Sequence, residues 1–167
     1  MAKQFTVNTA EAFAEAMRTW EEGNSAEARR LARRIADSTP GFGGAHYLLG
    51  MIALQQGQAR KAAEHLSRAV TADPTQTAPR LALARALEVQ DSLNTAILQY
   101  RAILAVDPSH AEANARLGDL LGRTGKTEEA MEHCRRAIAA NASHAEALCT
   151  LGGLLHQRAT TKKPPAP

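Results

Sequence analysis

Six histidines and two cysteines are the residues of this 167-residue chain that could bind a metal or act as nucleophiles. His133 and Cys134 are adjacent, and adjacent side chains of a helix point in different directions, so they do not readily share a metal. His110 and His144 are separated by 34 residues, which is also the period of a repeat that runs through the chain. The sequence contains no phosphate-binding loop, zinc-protease motif or nucleophile elbow. We therefore predict that the protein is not an enzyme and has no catalytic residue, metal site or cofactor.

Three residue types carry the 34-residue repeat. Proline recurs at Pro40, Pro74 and Pro108. A turn residue recurs at Gly23, Gly57, Asp91 and Gly125, and alanine recurs at Ala28, Ala62, Ala96 and Ala130. A repeat of this length with small residues at fixed positions is typical of stacked helical hairpins.

Each repeat is predicted to contain two helices. In the second repeat the first helix ends at Gly57, and the second ends before Pro74, because the residue before proline is disfavoured in helical geometry. Asp91 replaces the turn glycine in the third repeat, and aspartate tolerates the left-handed conformation better than most residues. Ala142 stands where the fourth repeat would have its proline, so we expect its second helix to continue with less of a break. Cys134 occupies a large core position, which predicts packing and not chemistry.

This pattern resembles the tetratricopeptide repeat (TPR) family and its bacterial scaffold proteins. The resemblance rests on a leucine followed by a small residue in the first helix, and on alanines in the second helix before a terminal proline. It implies an all-α fold, a right-handed α-solenoid of four helix-turn-helix units and a C-terminal capping helix. We predict an N-terminal segment at residues 1–8 and a repeat domain at 9–158. Its units are 9–42, 43–76, 77–110 and 111–144, followed by a capping helix at 145–158 and a proline-rich disordered tail at 159–167.

Charge and hydropathy favour a cytoplasmic protein. Lysine and arginine number 20 against 17 aspartates and glutamates, and the formal charge of +3 is spread over the repeats, which argues against a nucleic-acid partner. No apolar run is long enough to span a bilayer. Two cysteines do not form a disulfide framework.

The resemblance implies that a ligand lies in the concave groove formed by the first helices of the hairpins. The repeat positions that face this groove are apolar in the first two units and charged in the last two. The predicted partner-binding residues are Phe13, Met17, Tyr47, Met51, Arg85, Arg116 and Arg123. Family members that bind a peptide carboxylate use a set of Lys, Asn and Arg residues, of which only Arg85 is matched here. A terminal carboxylate is therefore not the expected ligand.

We interpret the chain as a non-catalytic scaffold that binds a peptide or protein segment. Two alternatives remain: the substrate-recruiting domain of a larger bacterial sulfotransferase or glycosyltransferase, and a scaffold that assembles with itself into a homo-oligomer. Phe13 and Trp20 have a competing structural explanation, which is that Phe5 and Val7 fold over them as an N-terminal seal. A cluster of four arginines between residues 29 and 34 is interpreted as a solvated helix face. The sequence does not identify the partner.

Overall fold

The computed structural model describes residues 2–161 and, within them, the side chains of residues 8–160. All regular secondary structure in this range is helical. The helices are α1 (Ala2–Glu21), α2 (Ser25–Ser38), α3 (Gly43–Gln55), α4 (Ala59–Ala72), α5 (Thr77–Val89), α6 (Leu93–Val106), α7 (Ala111–Arg123), α8 (Thr127–Ala140) and α9 (Ala145–Thr161). Helix α1 thus begins before residue 9, and α9 extends past residue 158. The remainder of the predicted tail, residues 162–167, lies outside the described residues.

The chain divides into two compact units, Met1–Ser92 and Leu93–Pro167. We call α1, α3, α5, α7 and α9 the A helices, and α2, α4, α6 and α8 the B helices. In the first unit α2 packs between α1 and α3, and α4 packs between α3 and α5. In the second unit α7 contacts α6 and α8, and α9 packs against both α7 and α8.

The turn inside each hairpin depends on one residue in the left-handed conformation. Gly23, Gly57 and Gly125 have φ of 85°, 70° and 80°, and Asp91 has φ of 56° at the equivalent position. Side chains other than glycine rarely adopt this region, and aspartate is one of the few that does. The prediction that Asp91 takes the place of the turn glycine is confirmed.

The turns after α4 and after α8 each depend on a side chain that accepts two hydrogen bonds. The Oδ1 atom of Asp73 accepts from the Thr75 backbone N–H at 3.0 Å and from its hydroxyl at 2.6 Å. Asn141 accepts the same pair of bonds from Ser143, at 3.2 and 3.0 Å. Helix α8 ends at Ala140, the position equivalent to the end of α4. The expectation that α8 continues because Ala142 is not proline is wrong, since the Asn141 turn ends the helix without it.

Glycines allow the closest contacts between A and B helices. A Cβ atom on Gly50 would lie 2.5 Å from Cγ of Leu66, and one on Gly118 would lie 2.6 Å from Sγ of Cys134. Leu66 and Cys134 are completely buried, so these side chains fill the space above the glycines. The predicted core role of Cys134 is confirmed.

A polar contact that we did not predict links an A helix to the proline turn before it. In the fourth hairpin Nδ2 of Asn114 donates to the Pro108 carbonyl at 2.9 Å, and its Oδ1 atom lies 2.9 Å from Nδ1 of His133. Because an amide oxygen only accepts, Nδ1 of His133 carries the proton. In the second hairpin His46 takes the place of Asn114: its Nδ1 lies 3.4 Å from Nδ1 of His65, and it is hydrogen-bonded to the backbone of Pro40. We call the hydrogen bond from the A-helix side chain, Asn114 or His46, to the proline carbonyl the proline-carbonyl contact.

Candidate functional site

The A-helix face of the first unit contains an open pocket of about 470 Å³. Phe13 and Met17 of α1 and Tyr47 of α3 line one side of it. Its remaining lining residues are Gly41, Phe42, Gly43, Gly44, Ala69, Ala72, Asp73 and Gln76. The structure therefore brings together three of the predicted partner-binding residues.

The pocket wall is held by an aromatic pair. The rings of Phe13 and Phe42 meet edge to face, with centroids 5.1 Å apart and an interplanar angle of 73°. Gly44 lies beside both rings, and a Cβ atom there would be 2.8 Å from Phe42 and 3.1 Å from Phe13. Glycine at position 44 is thus part of what places the Phe13 ring at the pocket.

The described residues that line the pocket offer apolar contact and no charged group available for a ligand. Asp73 is the only charged residue among them, and its carboxylate already accepts hydrogen bonds from Thr75 and from Nε2 of Gln76. The Thr75 hydroxyl, together with the Thr75 N–H and Gln76, holds the pKa of the Asp73 carboxyl below its ordinary value. Asp73 thus fixes the turn, and the pocket fits an apolar side chain.

Met51 and Trp20 lie outside this pocket. Met51 is half-buried one turn along α3 from Tyr47, and both pack against the core formed with Leu83 and Ala86 of α5. Trp20 is half-buried against the core between α1, α2 and α3. The competing interpretation of an N-terminal seal depends on the side chains of Phe5 and Val7, which are outside the described residues.

The three predicted arginines are dispersed. Arg85 is exposed on α5 of the first unit. Arg116 and Arg123 belong to the second unit, where Arg116 lies 3.0 Å from Glu146 and Arg123 lies 3.8 Å from Asp119. A ligand carboxylate would have to compete with these two protein carboxylates.

The histidines at equivalent repeat positions serve as helix caps. Nδ1 of His110 accepts a hydrogen bond from the Ala113 N–H at 3.2 Å, and Nδ1 of His144 accepts one from the Ala147 N–H at 3.4 Å. These bonds satisfy N–H groups that the first turn of a helix leaves open. Among the described residues, no three His, Cys, Asp or Glu side chains come together in a group that could hold a metal ion.

The arginine cluster of α2 interacts with its own surroundings. Arg30 donates to Glu27 at 2.8 Å, and Arg29 donates to Oε1 of Gln56 at 3.3 Å. These contacts agree with the interpretation of a solvated helix face.

Helical hairpins that repeat along the chain with small residues at fixed positions define a class of helical repeat protein. The chain belongs to the tetratricopeptide repeat family, whose model matches residues 13–77 and 81–149. A search of curated proteins finds no match.

Solved structures of other repeat proteins share this fold. MamA from Desulfovibrio magneticus RS-1 is 17% identical, with a TM-score of 0.82 over 92% of this chain and 87% of its own. YrrB, described as a TPR protein with an unusual peptide-binding site, is 23% identical, with a TM-score of 0.75 over 84% of this chain and 73% of its own. PilF from Pseudomonas aeruginosa is 16% identical, with a TM-score of 0.77 over 91% of this chain and 69% of its own. Together with the helices described above, these similarities confirm the predicted all-α solenoid fold.

None of the described helices has both the length and the apolar character needed to cross a membrane.

Proposed function

We propose that the protein is a non-catalytic scaffold that binds a segment of a partner protein on the A-helix face of the first unit. The observation that carries the proposal is the pocket between α1 and α3, where Phe13, Met17 and Tyr47 converge. Half-buried aromatic and methionine side chains around an open pocket favour contact with an apolar side chain of a partner.

Tyr47 and Met51 extend this surface along α3. They are one helical turn apart, so a partner segment that places one apolar side chain in the pocket can place the next over Met51. Arg85 is the charged residue of this unit that we propose as a contact for an acidic residue flanking the apolar anchors. Arg116 and Arg123 remain proposed contacts for acidic groups in the second unit.

The protein class supports binding over chemistry. Repeat proteins of this family present extended surfaces for recognition, and YrrB, which has the same fold, is a protein with a peptide-binding site. The pocket residues contribute apolar area, and the one carboxylate among them is engaged in a turn.

A display selection with the whole chain as bait tests the proposal. Peptides selected on the wild-type chain are measured by fluorescence anisotropy against the Tyr47→Ala, Met51→Ala double variant. We expect binding to weaken at least tenfold, which corresponds to about 1.4 kcal/mol.

The matched control is Leu98→Ala, which removes an apolar side chain that is 60% exposed on α6. This control should bind like the wild type, and circular dichroism should show that both variants keep their helices. Equal affinity of the double variant and the wild type would reject the site.

A further inference from the structure

Helix α9 has two apolar faces, and only one of them is covered by the described residues. Ala147 and Leu154 face the preceding hairpin and are buried, and a Cβ atom on Gly122 of α7 would lie 3.0 Å from Leu154. On the other face, Leu148 is 47% exposed and Leu155 is 38% exposed. This second face consists of Ala145, Leu148, Gly152, Leu155 and Ala159.

The equivalent positions in α3 and α7, Gly50 and Gly118, are covered by the B helices α4 and α8. Gly152 has the repeat position of Gly118, whose neighbour Cys134 of α8 lies directly above it. At Gly152 itself an added Cβ atom would meet nothing within 4 Å among the described residues. The uncovered face of α9 is thus the surface on which an A helix receives an antiparallel partner helix.

We propose that the uncovered face of α9 is a dimer interface that pairs with α9 of a second copy of this chain in antiparallel orientation. A two-fold axis at the level of residue 150 places Leu148 of each copy opposite Gly152 of the other. The same axis places Ala145 opposite Leu155. Each large side chain then meets a small residue, as Cys134 meets Gly118 in the fourth hairpin.

The chemistry of the face agrees with self-association. The five residues of the face are uncharged, so two copies meet without like-charge repulsion. The nearest charged residues of α9 are engaged within one chain, Glu146 with Arg116 at 3.0 Å and Arg158 with Glu128 at 3.6 Å. A single helix pair buries an area at the low end for specific interfaces, so the dimer is expected to be weak and to depend on concentration.

Sedimentation velocity of the full chain over a wide concentration range tests this pairing. We expect the wild-type dimer fraction to rise with concentration and Leu148→Glu to remain monomeric throughout. Leu98→Glu is the matched control, because Leu98 is an exposed leucine of the same unit on α6, and it should dimerise like the wild type. Since Leu148 is already exposed, both variants should melt like the wild type in dilute solution.

Cross-linking gives an independent readout. Cys149 is exposed and lies one residue from the level of the axis, whereas Cys134 is buried. A short bis-maleimide should therefore give a covalent dimer that Cys149→Ser abolishes.

Three results would overturn the proposal. The first is that the wild-type chain stays monomeric at every concentration. The second is that the Leu148→Glu and Leu98→Glu variants dimerise equally. The third is that the Tyr47→Ala, Met51→Ala variant loses the dimer. The last result would place self-association on the A-helix face of the first unit.

Discussion

Gly118 and Gly152 have the same repeat position and opposite surroundings. A methyl group on Gly118 would meet Cys134 at 2.6 Å and the Ala130 carbonyl oxygen at 3.1 Å, while one on Gly152 would meet no described atom within 4 Å. Repeat position alone therefore does not determine the effect of a substitution. What decides it is whether a B helix lies above the glycine.

We expect Gly118→Ala and Gly152→Ala to change the free energy of unfolding in opposite directions. Gly118→Ala should destabilise by about 1–3 kcal/mol through overpacking. Gly152→Ala should stabilise by about 0.5–1 kcal/mol, because alanine loses less conformational entropy than glycine in an open helix. Denaturant unfolding at low protein concentration, where α9 is unpaired, measures both. A loss of stability in both variants would show that the α9 face is covered within one chain.

The paired histidines of the second hairpin predict a pH dependence. Burial lowers the pKa of His46 and of His65 from 6.5, and the cation of Arg68 lowers both pKa values further. The pKa of His65 is also lowered by His46 and Arg33, and it is raised by Glu64. Each ring therefore binds a proton less readily in the folded state than in the unfolded chain, which takes up protons near pH 6.5. The free energy of unfolding should be greatest above pH 6.5 and should fall as the pH decreases below it.

His46→Asn tests this dependence by reproducing the Asn114–His133 pair of the fourth hairpin. Thermal midpoints measured from neutral pH down to mildly acidic pH should fall less in this variant than in the wild type. His156→Asn, which replaces an exposed histidine of α9, is the control and should follow the wild-type profile. Parallel profiles for all three proteins would contradict the assignment to the His46–His65 pair.

Among the helical elements, the turns that end α4 and α8 are determined more by a hydrogen-bonded side chain than by proline. Asn141 has φ of −146° and ψ of 99°, close to the −144° and 95° of Asp73. The repeat pattern predicts a proline where Ala142 stands, but the polar residue before it, Asn141, ends α8. The signal was present in the sequence, because Asn141 and Ser143 keep the pattern of Asp73 and Thr75.

Ala142→Pro should stabilise the protein by about 0.4–1 kcal/mol. The preceding residue is already extended, as a residue before proline must be, and proline reduces the entropy of the unfolded chain. Asn141→Ala should have the opposite effect, since it removes two hydrogen bonds of the turn. Denaturation midpoints of the two variants test the comparison, and a destabilising proline would mean that the fourth turn differs from those at Pro74 and Pro108.

At the scale of the molecule, the sequence was sufficient to predict the helical hairpins and insufficient to predict the pocket. Helix positions follow from one-dimensional periodicity, which a stack of hairpins preserves. The pocket is lined by side chains of α1 and α3, by Phe42 just before α3, by Gly44 near the start of α3, and by residues at the end of α4. This arrangement depends on contacts between helices, so it cannot be predicted by comparing equivalent positions along the A helices.

The end of the second unit is expected to depend on α9. Deleting residues 145–167 would remove Leu154 and Ala147 from the hairpin they cover and expose the apolar surface of α7 and α8. We expect this truncation to lower the thermal midpoint and to promote aggregation, while deletion of 162–167 alone should change neither. Light scattering during a thermal melt measures both quantities, and a longer truncation that behaves like the shorter one would show that α9 does not protect the hairpin.

The proline-carbonyl contact has a consequence for how the sequence can change over time. Asn114 is tied both to Pro108 and to His133, so a change at either end leaves a buried polar group without its partner. The second and fourth hairpins both have a histidine in the B helix, His65 and His133. Only the A-helix partner differs, since it is a histidine at position 46 and an asparagine at position 114. We therefore expect descendants of this sequence to exchange these two residue types at the A-helix position more readily than they lose the histidine opposite.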